Sequence, residues 1–258
     1  MSAKGTTSWR RVLLPLGLIA LLLGAWQVAA STGTIAEALS LEDFLVPSPA
    51  EIAEALWESR ALLAENAWVT LREILLGILC ALAVGIGFAI AMHRSQLLRD
   101  ASYPLIVASQ AIPIVVIAPI LTIWCGFGMG PKIVIIALIC FFPITVNALD
   151  GLRSVDPETV KMMRSLDASR WQRFRRVEAP TALPSLFTGI KIAVVVAPIA
   201  AVFAEWAGAD AGLGRLIQSD LANYQVARQF AAVAVLAAMA LLLIGLAALA
   251  ERRVVTWR

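Results

Sequence analysis

Charge is scarce in this sequence. Asp, Glu, Lys and Arg make up 15% of its 258 residues, where a soluble domain of this length carries about a quarter. Hydrophobic residues supply 60% of the chain, and mean hydropathy is +0.83. One water-soluble core cannot hide that much apolar surface, which leaves a polytopic membrane protein. Cysteine is sparse as well. Cys80, Cys125 and Cys140 form no CxxC and pair with no histidine, which argues against a disulfide framework or a structural metal site. Histidine occurs once, as His93. With no GxSxG elbow, no Ser/His pairing and no HExxH, a serine or zinc hydrolase has no constellation to use. No GxxxxGK[ST] occurs, so the chain has no Walker loop to cradle a nucleotide phosphate.

Long apolar runs are what the sequence does have. Six are long enough to cross roughly 30 Å of hydrocarbon as helices: about 12–30, 68–92, 104–123, 133–149, 188–206 and 229–250. Barrel strands would be short and alternating. The expected fold is therefore all-α, with about six transmembrane helices. The first run, with basic residues before it and "VAAS" at 28–31, also resembles a signal peptide; its length favours a retained helix.

Orientation follows from Lys and Arg. With a cytoplasmic N-terminus, fifteen basic residues fall on inside segments and five outside. Lys4, Arg10, Arg11, Arg94, Arg99 and Arg153 are among the inside set; Arg60, Arg72, Lys132, Arg215 and Arg228 make up the outside one. Both termini are expected to be cytoplasmic. That bias also accounts for the net charge of +3 and pI near 9.0. No basic stripe alternates with aromatics, so nucleic acid is not an expected partner.

Three segments follow: residues 1–67, a helix and an acidic outside stretch; 68–250, a core of five spans containing an inside loop at 150–187; and 251–258, a basic tail. The outside stretch carries Glu37, Glu42, Asp43, Glu51, Glu54, Glu58 and Glu65. Within it Ser48 and Pro49 read as the start of an amphipathic helix. Ile52, Leu56, Trp57 and Leu63 lie along the membrane surface or cover the bundle.

Ionisable groups within the spans are few. Arg72 and Glu73 are expected near the outer end of the second span, Glu205 near the outer end of the fifth, and Lys191 just inside the start of the fifth. Proline and amides are the more frequent interruptions. Gln110, Pro113, Asn147 and Glu205 are the candidates for a translocation path, since bent helices with isolated amides suit a polar route. Ordinary packing remains an equal reading for Gln110 and Asn147. "GFGMG" at 126–130 follows an apolar helix rather than a strand and reads as a tight outside turn. Glycines 77, 85 and 87 suit close helix packing.

The densest arginine run lies in the inside loop: Arg164, Arg170, Arg173, Arg175 and Arg176. Asp156 is a good N-cap and Pro157 suits the first helical position. A short helix is expected to about Leu166, with Val160, Met163 and Leu166 at three-residue spacing. Asp167 or Ser169 starts a second, with Trp171, Phe174 and Val177 on one side, and Pro180 and Pro184 are expected to end it. Aromatics ringed by arginine suit a protein-binding surface; a basic loop touching anionic lipid is the alternative.

The segment "DPETVKMMRSLDASRWQRFRRVEAPTALPSLFTGIK" resembles the signature loop of the binding-protein-dependent transport permeases, the membrane subunits of ATP-binding-cassette importers. Lys161, Met162 and Met163 stand where that family has Glu-Ala-Ala, and Asp167 stands where it has Gly. Val177, Ala179 and Pro180 stand for its Ile-x-Leu-Pro. "AIPIVVIAPILTIWCGFGMGPK", "FFPITVNALDGLRSVDPE" and "AEWAGADAGLGRLI" resemble the branch serving nitrate, sulfonates, taurine and thiamine-pyrimidine precursors, over about residues 65–258. "AVFAEWAGADAGLG" and "AERRVVTW" resemble permeases for the thiamine pyrimidine precursor most. The resemblance implies a multi-pass protein of a prokaryotic inner (plasma) membrane. It implies that Lys161, Met162, Met163, Arg164, Asp167, Ala168, Ser169, Arg170, Trp171, Phe174 and Pro180 form a coupling loop for two ATPase subunits. A second permease copy and an external solute-binding protein complete the assembly. This chain then binds no cofactor, ATP and Mg being used by the partner subunit. A gradient-driven carrier or channel, with Glu205 as its ionisable group, is the competing class, and a lipid-acting enzyme is a weaker one.

Overall fold

A computed structural model describes residues 6–257. Among them every regular element is helical: α1 Thr6–Ser31, α2 Thr34–Leu39, α3 Pro49–Glu58, α4 Arg60–Arg94, α5 Gln96–Ser109, α6 Ile114–Cys125, α7 Met129–Arg153, α8 Pro157–Ser165, α9 Arg170–Arg173, α10 Ala179–Trp206, α11 Leu213–Ala222 and α12 Val226–Val254. Five helices are long and apolar enough to cross a membrane: α1 from Leu13, α4, α7, the continuous Arg170–Trp206 helix, and α12. A sixth crossing exists if α5 and α6 together make one. Lys4 lies outside the described residues.

The chain divides into two compact units. One holds residues up to Ala64 with Leu216–Ala234; the other holds Glu65–Arg215 with Val235–Arg258. In the first, Ser48 and Glu51 close a reciprocal cap at the start of α3, each satisfying a backbone N–H of the other. The amide oxygen of Gln27 on α1 accepts a bond from Ala50 N–H at 2.9 Å. Where α11 turns into α12, the carboxylate of Asp220, fully buried, takes a forked pair of bonds from Arg228, the shorter at 2.6 Å. Arg228, expected outside, is thus committed to one partner.

In the second unit α7 and α10 form the core. Ile135, Ile136, Cys140, Ile144 and Leu149 of α7 are fully buried, as are Ala193, Ala197, Ala200 and Ala201 of α10. Small side chains on α10 let the two backbones approach, the usual device where lipid supplies no hydrophobic drive between helices. The closest approach is at Gly189, where a methyl group would press on Pro143 O and Asn147 Cβ. Gly77 and Gly85 of α4 meet α7 in the same way, as expected; a methyl group at Gly87 would point into open space. "GFGMG" is a turn whose Gly126 and Gly128 have φ of 80° and 128°.

Two expectations need correction. The run at 104–123 is not one helix: α5 and α6 meet at 101°. Pro113, with φ −65° and ψ 124°, breaks the helix because it has no N–H and disfavours helical Ile112 before it. Nor do Pro180 and Pro184 end a helix. The chain runs without interruption from Arg170 to Trp206, because Phe174–Glu178 adopts a π turn. Its wider hydrogen-bonding leaves room for a proline that would otherwise clash with the carbonyl four residues back.

Gly189→Val is expected to destabilise the protein by about 1–3 kcal/mol through overpacking at the α7–α10 contact. Gly87→Val, with open space around it, is expected to change little. Thermal unfolding of both variants in detergent checks the difference.

Candidate functional site

The arginine-rich loop folds as a helix–turn–helix. At its start Asp156 accepts bonds from Glu158 N–H at 3.1 Å and Thr159 Oγ1 at 3.2 Å. Pro157 occupies the first position of α8, where a missing N–H is harmless. Lys161 pairs with Glu158 of the same helix at 2.8 Å; both are exposed, so the pair contributes little. The turn is made by Asp167, whose φ is 52°. Asp tolerates that left-handed conformation better than most side chains. Asp167 N–H bonds to Arg164 O and Ala168 N–H to Met163 O, each at 3.0 Å, closing the C-terminus of α8. Ser169 then caps α9, donating its own N–H to the Gln172 side chain while its hydroxyl accepts from Gln172 N–H.

This arrangement leaves apolar side chains in the open. Trp171 is 61% exposed, Met162 56% and Leu166 71%. Trp171 and Phe174 stack at 5.7 Å, and the Arg94 guanidinium lies 5.4 Å from the Phe174 ring. His93, at the end of α4, contacts Glu178 at 3.2 Å, which ties α4 to the π turn. Beside them lies an open groove of about 800 Å³ lined by His93, Arg94, Arg164, Arg170 and Arg173, with Asp167 and Glu178 on its acidic side. The eleven residues expected to act together thus lie on one helix–turn–helix, Pro180 being just beyond its π turn.

The four path candidates are not brought together. Gln110 and Pro113 share a groove at the α5–α6 bend with Ser102 and Ser109. Asn147 is on α7, its amide donating to Pro143 O at 2.8 Å. Glu205 is fully buried in a polar cluster that sequence reasoning missed. Its carboxylate accepts bonds from Thr70 Oγ1 at 2.6 Å, Gly214 N–H at 2.5 Å and Arg215 N–H at 3.1 Å. Thr70 Oγ1 accepts from Leu213 N–H, and Asn66 Oδ1 from Gly212 N–H, both at 2.8 Å. The first N–H groups of α11, which no turn of helix can satisfy, are therefore met by α4 and α10. Trp206 Nε1 donates to Gly214 O at 2.8 Å. Gly212 has φ 129°, and a methyl group there would overlap the Glu205 carboxylate. Next to this cluster Lys132 bonds to Glu73 at 2.7 Å, with both side chains buried. The signal was present in the sequence: an acid inside an apolar helix needs a buried partner, and Gly208, Gly212 and Gly214 crowd the segment after Glu205. Lys191 also has a partner, Glu251 near the end of α12.

The sequence profile described as "binding-protein-dependent transport system inner membrane component" matches residues 73–256. The chain belongs to that family. It is a multi-pass inner-membrane component of a transport system. The match begins at Glu73, close to the expected start near 65, and takes in Lys132, the helix–turn–helix and Glu205. Among curated relatives of this permease is the riboflavin transport system permease protein RibX of Chloroflexus aurantiacus, 36% identical, covering 96% of this chain and 91% of that one. The formylaminopyrimidine transport permease protein ThiX of Halalkalibacterium halodurans is 32% identical, over 96% and 97%. A solved structure of the MetNI methionine ABC transporter in inward-facing conformations superposes with a TM-score of 0.67 at 19% identity, covering 76% of the permease and 98% of that chain. At that identity the likeness is one of fold.

Removing either partner of the Glu73–Lys132 pair strands a buried charge. Glu73→Leu alone or Lys132→Met alone is expected to destabilise the permease by about 3–5 kcal/mol, and the double variant by clearly less than either single. A double-mutant cycle on detergent unfolding measures it. Asp167→Gly is expected to leave stability unchanged or raised, whereas Asp167→Val, β-branched at positive φ, lowers it by about 1–3 kcal/mol; the same unfolding assay separates them.

Proposed function

We propose that this permease is the membrane subunit of an ATP-driven importer and that the helix–turn–helix of residues 156–178 is where a separate ATPase subunit docks. The observation carrying this reading is the exposed Trp171, stacked on the half-buried Phe174 beside the arginine groove, at the start of a helix that continues unbroken to Trp206. At 1.5 Å per residue its 37 residues extend roughly 55 Å. A displacement at Trp171 is transmitted along one rigid rod to α7, against which α10 packs, and to Glu205 at the far end. The arginine-rich end faces the cytoplasm on the positive-inside rule.

In this reading two ATPase subunits bind ATP and Mg, and this chain binds neither. Two copies of the permease enclose the path, and an external binding protein delivers the solute. The solute is small and polar. Thiamine pyrimidine precursors are the favoured class, supported by the formylaminopyrimidine permease among its relatives; sulfonates, taurine and nitrate are the next candidates. A gradient-driven carrier is less well supported, because the buried Glu205 is engaged by three hydrogen bonds.

Trp171→Glu with Phe174→Glu is expected to abolish co-purification of the ATPase and ATP-dependent uptake. Retained ATPase with normal uptake contradicts the docking site. Uptake that survives ATP depletion but collapses with an uncoupler favours the gradient-driven alternative.

A further inference from the structure

The bend between α5 and α6 opens a groove of about 680 Å³, within the rough 300–1,000 Å³ range of small-molecule sites. Its walls are aliphatic and aromatic. Phe88 of α4 and Phe141 of α7 stand on it, their ring centroids 5.9 Å apart. Ser102, Ser109 and Gln110 are its hydrogen-bonding side chains, and among the described residues no Asp, Glu, Lys, Arg or His lines it. The Ser109 hydroxyl donates to Ile106 O at 2.7 Å and accepts from Gln110 Nε2 at 3.3 Å. That bond fixes the amide and leaves its carbonyl oxygen and second N–H for a ligand. At the same bend α6 begins at Ile114, with Pro113 before it and no side chain capping its first N–H groups.

We propose that this groove is the solute's contact site and that it takes an uncharged, flat nitrogen heterocycle with both a hydrogen-bond donor and an acceptor, in preference to a sulfonate or other anion. The inference rests on the permease reading and narrows its substrate. Apolar walls and the tilted Phe88–Phe141 pair offer a surface against which one face of a flat ring can lie. The Gln110 amide matches an edge that donates and accepts side by side. The uncapped start of α6 adds donors for a further acceptor. A full anion would enter the same walls with no cation to meet it, and a helix N-terminus offers only about half a charge.

The test uses the full chain purified in detergent, with an aminopyrimidine and ethanesulfonate as probes, read by saturation-transfer difference NMR. The aminopyrimidine is expected to give a signal that falls about five- to tenfold in Gln110→Leu, the loss expected for one polar contact, and returns in Gln110→Asn; ethanesulfonate is expected to give none. An ethanesulfonate signal as strong as the aminopyrimidine's, or an unchanged signal in Gln110→Leu, overturns the proposal. So does dissociation of the purified protein into smaller species in Gln110→Leu, which assigns the groove to contact between copies. The permease reading fails separately, through absence of co-purifying ATPase from the wild type.

Discussion

Inside hydrocarbon no water is available to satisfy a polar group, so a polar group left without a partner in the protein is costly. That constraint organises the second compact unit. Glu205 meets it by capping α11, Glu73 by pairing with Lys132, and Asn147 by bonding back to its own helix. The prolines are governed by it too. Each removes a donor and frees a carbonyl, and the chain answers at Pro180 with a π turn and at Pro113 with a sharp bend. The continuous helix and the broken pair are two outcomes of one rule.

The two outcomes differ in what they present. The helix from Arg170 to Trp206 stays whole and packs along α7 through alanines and Gly189. The α5–α6 segment is broken, which leaves Gln110 and the start of α6 on a groove. The polar cluster around Glu205 joins the far end of the continuous helix to the start of α11. The Glu205 carboxyl group fixes where the segment sits, because one side chain accepts bonds from α4 and from two backbone N–H groups of α11 at once.

Much of this was legible in the sequence. Run lengths located the apolar helices, and the Asp156–Pro157 and Ser48–Pro49 pairs located the starts of α8 and α3, because capping chemistry is local. At Asp167 residue type suggested a helix start; it was the resemblance, which places a glycine there, that pointed to the left-handed turn. What was not readable depends on distance in three dimensions. Lys132 lies 59 residues from Glu73, and Thr70 lies 135 from Glu205; spacing along one helix cannot pair them. The prolines misled because the same residue breaks a helix at 113 and is absorbed at 180. The difference lies in whether packing against α7 makes a continuous rod worth a strained turn.

The central claim is that Trp171, stacked on Phe174, and the arginine groove beside it form the seat of an ATPase, at the start of a rigid helix. Cryo-electron microscopy of the transporter assembly purified from membranes tests it most directly. The account predicts ATPase side chains in contact with Trp171 and Phe174, and α10 unbroken behind them. Those aromatics facing lipid or a second permease copy, with the ATPase seated elsewhere, would contradict it.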